Sequence, residues 1–153
     1  MTATLTDIAT TVPNLMAQAS VHVDTRGAGI SEFTREAADF LFKAGAGDGV
    51  LLAFLRHTSA SLTIQENADP DVRRDLMTAL QRLAPEDAGW VHDTEGPDDM
   101  PAHVKAMLTG ISLHVPVADG RMLLGTWQGL YLIEHRRRPH AREVVLQFVG
   151  SRR

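Results

Sequence analysis

The spacing of hydrophobic and polar positions along this chain predicts its elements. Gly49 to His57, carrying the apolar run VLLAFL, reads as a buried strand, and Ser61 to Gln65 alternates as its continuation or neighbour. Earlier in the chain, Ser20 to Thr25 alternates weakly as a strand. A helix is predicted from about Ser31 to Lys43, because Phe33, Ala37, Phe40 and Leu41 share one face at helical spacing. The AGAGDG that follows is read as a helix cap and turn. Its glycines come after a helix and before a strand, whereas a phosphate-binding loop follows a strand and opens a helix.

Asp69-Pro70 predicts a second helix start: Asp69 can accept from orphan amides, Pro70 suits the first helical position, and Val72, Leu76, Leu80 and Leu83 form an apolar stripe. Ala84 to Asp99 reads as loop. Pro101 then opens a short helix that carries His103 and closes near Gly110. Ile111 to Val117, the Asp119-Gly120 turn and a long strand from Arg121 onward give the strongest hairpin signal in the chain, and Arg142 to Val149 supplies a final strand. Strands outnumber helices and the clearest connection is a hairpin, so the fold class is α+β, a mainly antiparallel sheet with two or three short helices. With no repeat, low-complexity tract or long linker, residues 1–153 read as one domain, of which 1–19 form an irregular N-terminal extension.

Composition narrows the chemistry. The chain has no cysteine, which removes disulfides and Cys-ligated metal sites, so any metal must be held by His, Asp and Glu. A net charge of -4 and a pI near 5.9 argue against a nucleic-acid partner. The N-terminus has neither a basic n-region nor a long apolar stretch, so no signal peptide, no membrane span and a cytoplasmic location are expected.

Four polar clusters remain: His57 to Asp69, Asp98-Asp99 with His103, Gly125 to Gly129, and Glu134-His135 with the basic residues behind them. His57 reads either as a satisfied histidine closing a buried strand or as a ligand or acid/base group, and His103 either as a solvated helix residue or the same. Asp69 reads as a helix cap; Glu66 and Asn67 stand at a strand end where they can face a cleft. Trp127 is core or ligand platform. The glycines of GTWQG beside it make sense if something approaches the backbone closely. Arg136, Arg137 and Arg138 with Arg142 read as a solvated turn or as planar donors for a phosphate.

Taken together, HTSASLTIQENADPDVRRDL, EGPDDMPAHVKAMLTGISLHVPV and GRMLLGTWQGLYLIEH resemble the YjbQ family, also called UPF0047, from about residue 20 to the C-terminus. The resemblance implies small α+β subunits, a homotrimer and a secondary thiamine-phosphate synthase activity. It carries the family's polar pattern onto His57, Thr58, Ser59, Ser61, Glu66, Asn67, Asp69, Asp99, His103, Thr126, Trp127, Gln128, Glu134 and Arg142. Ala68 and His114 depart from that pattern and are left out of the site, as are His22, His92 and His140.

The expected function is an enzyme acting on a small phosphorylated or diphosphorylated heterocycle, with thiamine-phosphate formation as an accessible reaction. His57, His103 and Glu134 are the expected catalytic or metal-binding groups, and a divalent metal is expected, either zinc-like or Mg²⁺ bridging phosphates. Arg136 and Arg142 are the expected phosphate contacts; Thr58, Ser59, Ser61, Asn67, Asp99, Thr126, Trp127 and Gln128 complete the expected binding surface. The alternative is a trimer that binds a metal or metabolite without turnover.

Overall fold

A computed structural model describes residues 1–153. The strands are β1 (Leu15–Asp24), β2 (Gly29–Glu32), β3 (Ala46–Leu55), β4 (Ala60–Glu66), β5 (Ser112–Ala118), β6 (Arg121–Met122), β7 (Gln128–Glu134) and β8 (Ala141–Arg152). The helices are α1 (Thr34–Ala44), α2 (Pro70–Leu83) and α3 (Asp99–Thr109). All strand pairs are antiparallel. They form a five-stranded sheet in the order β1-β8-β3-β5-β6 and a three-stranded sheet in the order β2-β7-β4. The fold is therefore α+β, as the pattern predicted.

Side chains alternate across each strand, so every strand offers one set of residues to each face. Leu51, Ala53 and Leu55 of β3 and Val144, Leu146 and Phe148 of β8 meet Leu62 of β4 and Leu130 and Leu132 of β7 in one core, sealed by Phe33, Ala37 and Leu41. The intervening residues of the small sheet face α2 and α3. There the Tyr131 ring lies 5.9 Å from the Arg73 guanidinium, and Ser61 meets His135. The small sheet is thus covered on both faces, which is why β7 is buried from Gly129 to Glu134.

Several boundaries differ from the expected ones. β1 begins at Leu15, so the segment without regular structure is 1–14 rather than 1–19. Ser31 belongs to β2, whose backbone pairs Ile30 with Ile133 and Ser31 with Leu132, and this pairing holds it out of the helix. Gly45 caps α1 in the left-handed region at φ 66°, as a cap should, but Ala46 to Gly49 already belong to β3 and contain a register irregularity. A Cβ on Gly49 would lie 2.3 Å from the Val149 carbonyl oxygen, so this glycine allows β8 to approach.

The Asp119-Gly120 turn is present, with φ of 50° and 73° at its two residues. The long strand after it is not. β6 ends at Met122, and the chain crosses over to enter the other sheet as β7. Asp69 caps α2 through its carboxylate, 2.8 Å from the Asp71 amide, whereas only Leu80 of the expected stripe is buried. No helix is long and apolar enough to cross a membrane.

Candidate functional site

The register of β4 against β7 separates the expected site residues into two groups. Ala60 pairs with Glu134 at one end and Glu66 with Gln128 at the other. Six residue steps of strand put these ends ~20 Å apart. His57, Thr58, Ser59, Ser61, Asp99, His103, Glu134, Arg136 and Arg142 gather at the first end; Glu66, Asn67, Thr126, Trp127 and Gln128 lie at the second.

At the first end, α3 carries Asp99 and His103 four residues apart, hence on one face of the helix. The loop before α3 brings His92 to the same carboxylate. One ligand atom from each of His92, Asp99 and His103 lies within 4.8 Å of the others, the one such grouping of three metal-ligand side chains in the chain. His92 Nε2 is 2.8 Å and His103 Nε2 is 3.3 Å from Asp99 Oδ2. The other carboxylate oxygen accepts from Arg136 Nη1. Burial alone would raise the Asp99 carboxyl, but the His92 hydrogen bond and the Arg136 and His103 charges hold it below the usual carboxylate range.

His103 Nδ1 lies 3.0 Å from the Thr58 carbonyl oxygen. A carbonyl only accepts, so Nδ1 carries the proton of that bond, and Nε2 is left turned toward a carboxylate. The Nε2 lone pair and the Asp99 carboxylate oxygen thus face the same space, 3.3 Å apart, as two donors to a shared cation would. Fixing one imidazole nitrogen on a backbone carbonyl so that the other faces a ligand is the usual supporting arrangement of a metal-binding histidine. The Asp99–His103 spacing was readable as a carboxylate and imidazole on one helix face. His92 sits in an irregular loop, where no periodicity marks it.

Glu134 has a different role from the metal contact expected of it. It is 1% exposed, and Arg142, 4% exposed, grips it from Nε at 2.7 Å and Nη2 at 2.6 Å. Thr25 Oγ1 donates to Oε2 at 2.9 Å and the Arg136 amide to Oε1 at 2.9 Å, so both carboxylate oxygens are occupied. Burial favours the neutral acid, but these donors, Arg142 foremost, outweigh it and lower the Glu134 carboxyl. Arg142 also donates to Ser59 Oγ, and Arg136 to Asp98 Oδ2 and the Glu95 carbonyl. Arg136 thus bonds through all three guanidinium nitrogens, and Arg142 through Nε and Nη2.

His57 follows β3 and accepts the Glu143 amide on Nε2 at 3.0 Å. Burial, helped by the Arg142 charge, lowers its imidazole from the ordinary value, which suits an acceptor. Together with Thr58 and His103 it lines a cavity of about 330 Å³ against Met107 and Ile111. His57 and His103 thus share a cleft, but the ligand atoms that converge are those of His92, Asp99 and His103. Ser61 is fully buried and meets His135 Nε2 at 2.9 Å.

At the second end, Gln128 Oε1 accepts the Gly125 amide at 2.8 Å, and the Asn67 amide donates to the Trp127 carbonyl at 3.0 Å. The GTWQG glycines accommodate the protein itself: a Cβ on Gly129 would lie 2.8 Å from Glu32 Oε1, and one on Gly125 would meet the Gln128 side chain at 3.4 Å. Trp127 is 63% exposed rather than core. Trp127→Ala is therefore expected to change stability by no more than about 0.5 kcal/mol, as for other surface positions, and urea unfolding of the variant checks this.

A family model described as UPF0047 protein YjbQ-like matches residues 19–151. UPF0047 protein sll1880 of Synechocystis sp. is 48% identical over 130 residues, covering 84% of this chain and 88% of the relative. UPF0047 protein YjbQ of Salmonella typhimurium is 47% identical over 103 residues, covering 67% of this chain and 75% of the relative. Among solved structures, hypothetical protein APE1520 from Aeropyrum pernix K1 superposes with a TM-score of 0.82 at 27% identity, over 88% of this chain and 99% of that one. The conserved hypothetical protein TT1486 from Thermus thermophilus gives 0.74 at 36% identity, over 83% and 97%. With the match spanning nearly the whole chain and relatives approaching half identity, the chain belongs to the UPF0047 (YjbQ-like) family.

Proposed function

We propose that the protein is a metal-dependent enzyme for a small phosphorylated or diphosphorylated heterocycle, with thiamine-phosphate formation among its accessible reactions. The reading rests on one observation: Thr58 fixes the His103 tautomer so that Nε2 faces the Asp99 carboxylate, which His92 also approaches. Two imidazoles and one carboxylate form a donor set suited to a zinc-like divalent ion and leave further coordination positions open. Such an ion would supply Lewis-acid polarisation of a phosphoryl oxygen. Arg136 holds Asp99 in place, and the cleft lined by His57 and His103 gives a ligand room beside the group.

The test is metal content and turnover in the purified protein. Near-stoichiometric zinc-like metal is expected in the wild type, with almost none in His92→Ala or His103→Ala, since a site left with one imidazole loses geometry as well as a ligand. His57→Ala is expected to keep its metal, because His57 Nε2 is held by the Glu143 amide. Metal retained in folded His92→Ala and His103→Ala would sink the assignment. Turnover is assayed with a pyrimidine diphosphate and a thiazole phosphate; bound metal with no turnover would favour the binding-only alternative.

The same reading includes a homotrimer. Beyond the family resemblance, the outer face of the five-stranded sheet supports it: Val50, Phe54 and Val149 are exposed on adjacent strands, with Val50 opposite Val149 and Phe54 opposite Val145. An apolar sheet face left open to water is costly for a lone subunit. Light scattering is expected to report three subunits for the wild type and a smaller mass for Phe54→Glu; a monomer mass for the wild type across a wide concentration range would remove the trimer.

A further inference from the structure

A phosphorylated ligand needs a cation free to meet it, and the two arginines expected for that task are engaged by Glu134, Asp98 and Asp99. Lys105 is a cation of another kind. It lies two residues beyond His103, and at 3.6 residues per turn it therefore points to the other side of α3. It is 9% exposed and lines a cavity of about 330 Å³ between α2, α3 and the β7–β8 connection, with Gln81, Glu86, Asp98, His135 and Arg137. This volume is at the lower end of the roughly 300–1,000 Å³ typical of small-ligand sites.

The acids in the lining already have partners. Asp98 Oδ2 accepts from Arg136 Nε at 3.2 Å and from the Arg137 amide at 2.8 Å, and Glu86 accepts from Arg137 Nη2 at 2.6 Å. The Lys105 ammonium feels Glu86 and Asp98 only at a distance, with no hydrogen bond to either. The side chain is mostly buried, but its ammonium opens onto the cavity with no acceptor of its own, so an anion there would gain a charge-assisted contact.

His135 supplies a second, independent observation. It is 3% exposed, it lines the same cavity, and its Nδ1 is the one buried side-chain polar atom in the protein with no hydrogen-bond partner. Buried nitrogens are nearly always paired, so an orphan beside a cavity that also holds an unpartnered ammonium points to a ligand oxygen. The Ser61 hydroxyl donating to Nε2 would leave the imidazole proton on Nδ1, making it a donor.

We propose that this cavity binds the phosphate group of the protein's small-molecule ligand, with Lys105 as charged anchor and His135 as a second donor. The proposal rests on the reading of the ligand as phosphorylated, but not on the metal. Arg136 ties the two places together, since its Nε holds Asp98 at the cavity and its Nη1 holds Asp99 at the His92–Asp99–His103 group. A phosphate seated beside Lys105 would therefore lie one guanidinium away from the group proposed to hold the metal.

The experiment is calorimetric titration of inorganic phosphate into the full-length protein freed of metal by chelation. One saturable site per chain is expected, weakened by about tenfold or more in Lys105→Met, since a charge-assisted contact is lost. Gln81→Trp fills the cavity from an exposed lining position where folding is not at stake, and is expected to remove binding as well. Phosphate affinity is expected to be unchanged in His92→Ala, and acetate is expected to bind about tenfold more weakly than phosphate or worse. Absence of saturable phosphate binding in the wild type, or binding that survives both Lys105→Met and Gln81→Trp, overturns the site; acetate binding as tightly as phosphate overturns the phosphate assignment. A protein that binds phosphate here yet holds no metal keeps this proposal and loses the metal reading alone.

Discussion

Glu134→Ala is expected to destabilise the protein by about 3–5 kcal/mol, because it leaves the Arg142 guanidinium buried and uncompensated. Glu134 ends β7 in the small sheet and Arg142 lies in β8 of the large one, so their paired hydrogen bonds pin the two sheets together at one edge of the core. Thr25, just past β1, donates to the same carboxylate and would lose its acceptor too. Removing both charges is a different matter. The double variant Glu134→Leu/Arg142→Met takes no charge out of water and is expected to recover most of the loss. Urea unfolding followed by circular dichroism, at one fixed protein concentration, measures both variants. A loss below about 1 kcal/mol in Glu134→Ala would mean that Arg142 is hydrated in solution and that the pair is not a structural pin.

The second large effect is a loss of stability with acid that begins well above the carboxylate range. Burial, helped by the Lys105 charge, pushes the His135 imidazole down from 6.5 to about 4. A folded value below the unfolded one means that the unfolded chain takes up a proton first. The stabilisation is therefore fully present above pH 6.5 and is lost as pH falls toward 4. Across that window one proton's linkage amounts to about 3 kcal/mol. His57, also lowered, adds to the same slope, whereas the lowered carboxyls of Asp98, Asp99 and Glu134 act below it, near and under their ordinary values. Replacing His135 with Gln keeps a polar partner for Ser61 but removes the titration. The urea midpoint of His135→Gln is expected to fall much less than that of the wild type between pH 7 and 4.5. Parallel midpoints across that range would show that His135 titrates in the folded protein as it does in the unfolded chain.

The two polar stretches that the sequence presents most plainly, HTSASL and GTWQG, have unequal fates. The first reaches the candidate site, but partly through its backbone: the Thr58 carbonyl meets His103, and Ser61 meets the buried His135. The second closes a turn on itself through Gln128 and Gly125. A list of polar side chains treats both alike, because residue type does not report which atoms are already bonded within the fold. The same blindness applies to Arg136 and Arg142. As sequence they are two cations beside a histidine; in the structure they are paired with Asp98, Asp99 and Glu134.

What the sequence determined by itself is local. The α1 face of Phe33, Ala37 and Leu41, the Asp69 cap, the Asp119-Gly120 turn and the apolar run of β3 follow from periodicity and backbone preference, which act over a few residues and need no knowledge of the rest of the chain. Only the tertiary structure decided the fate of the segment after Arg121: β7 pairs on both sides, with β2 and β4, and strand propensity alone cannot distinguish these partners from a continued β5–β6 hairpin. Tertiary structure also brought His92 to Asp99 from an irregular loop, and set Lys105 and His135 at one cavity from elements 30 positions apart. Charge and hydrogen bonding act through space, so the groups that compensate one another are chosen by packing rather than by order along the chain.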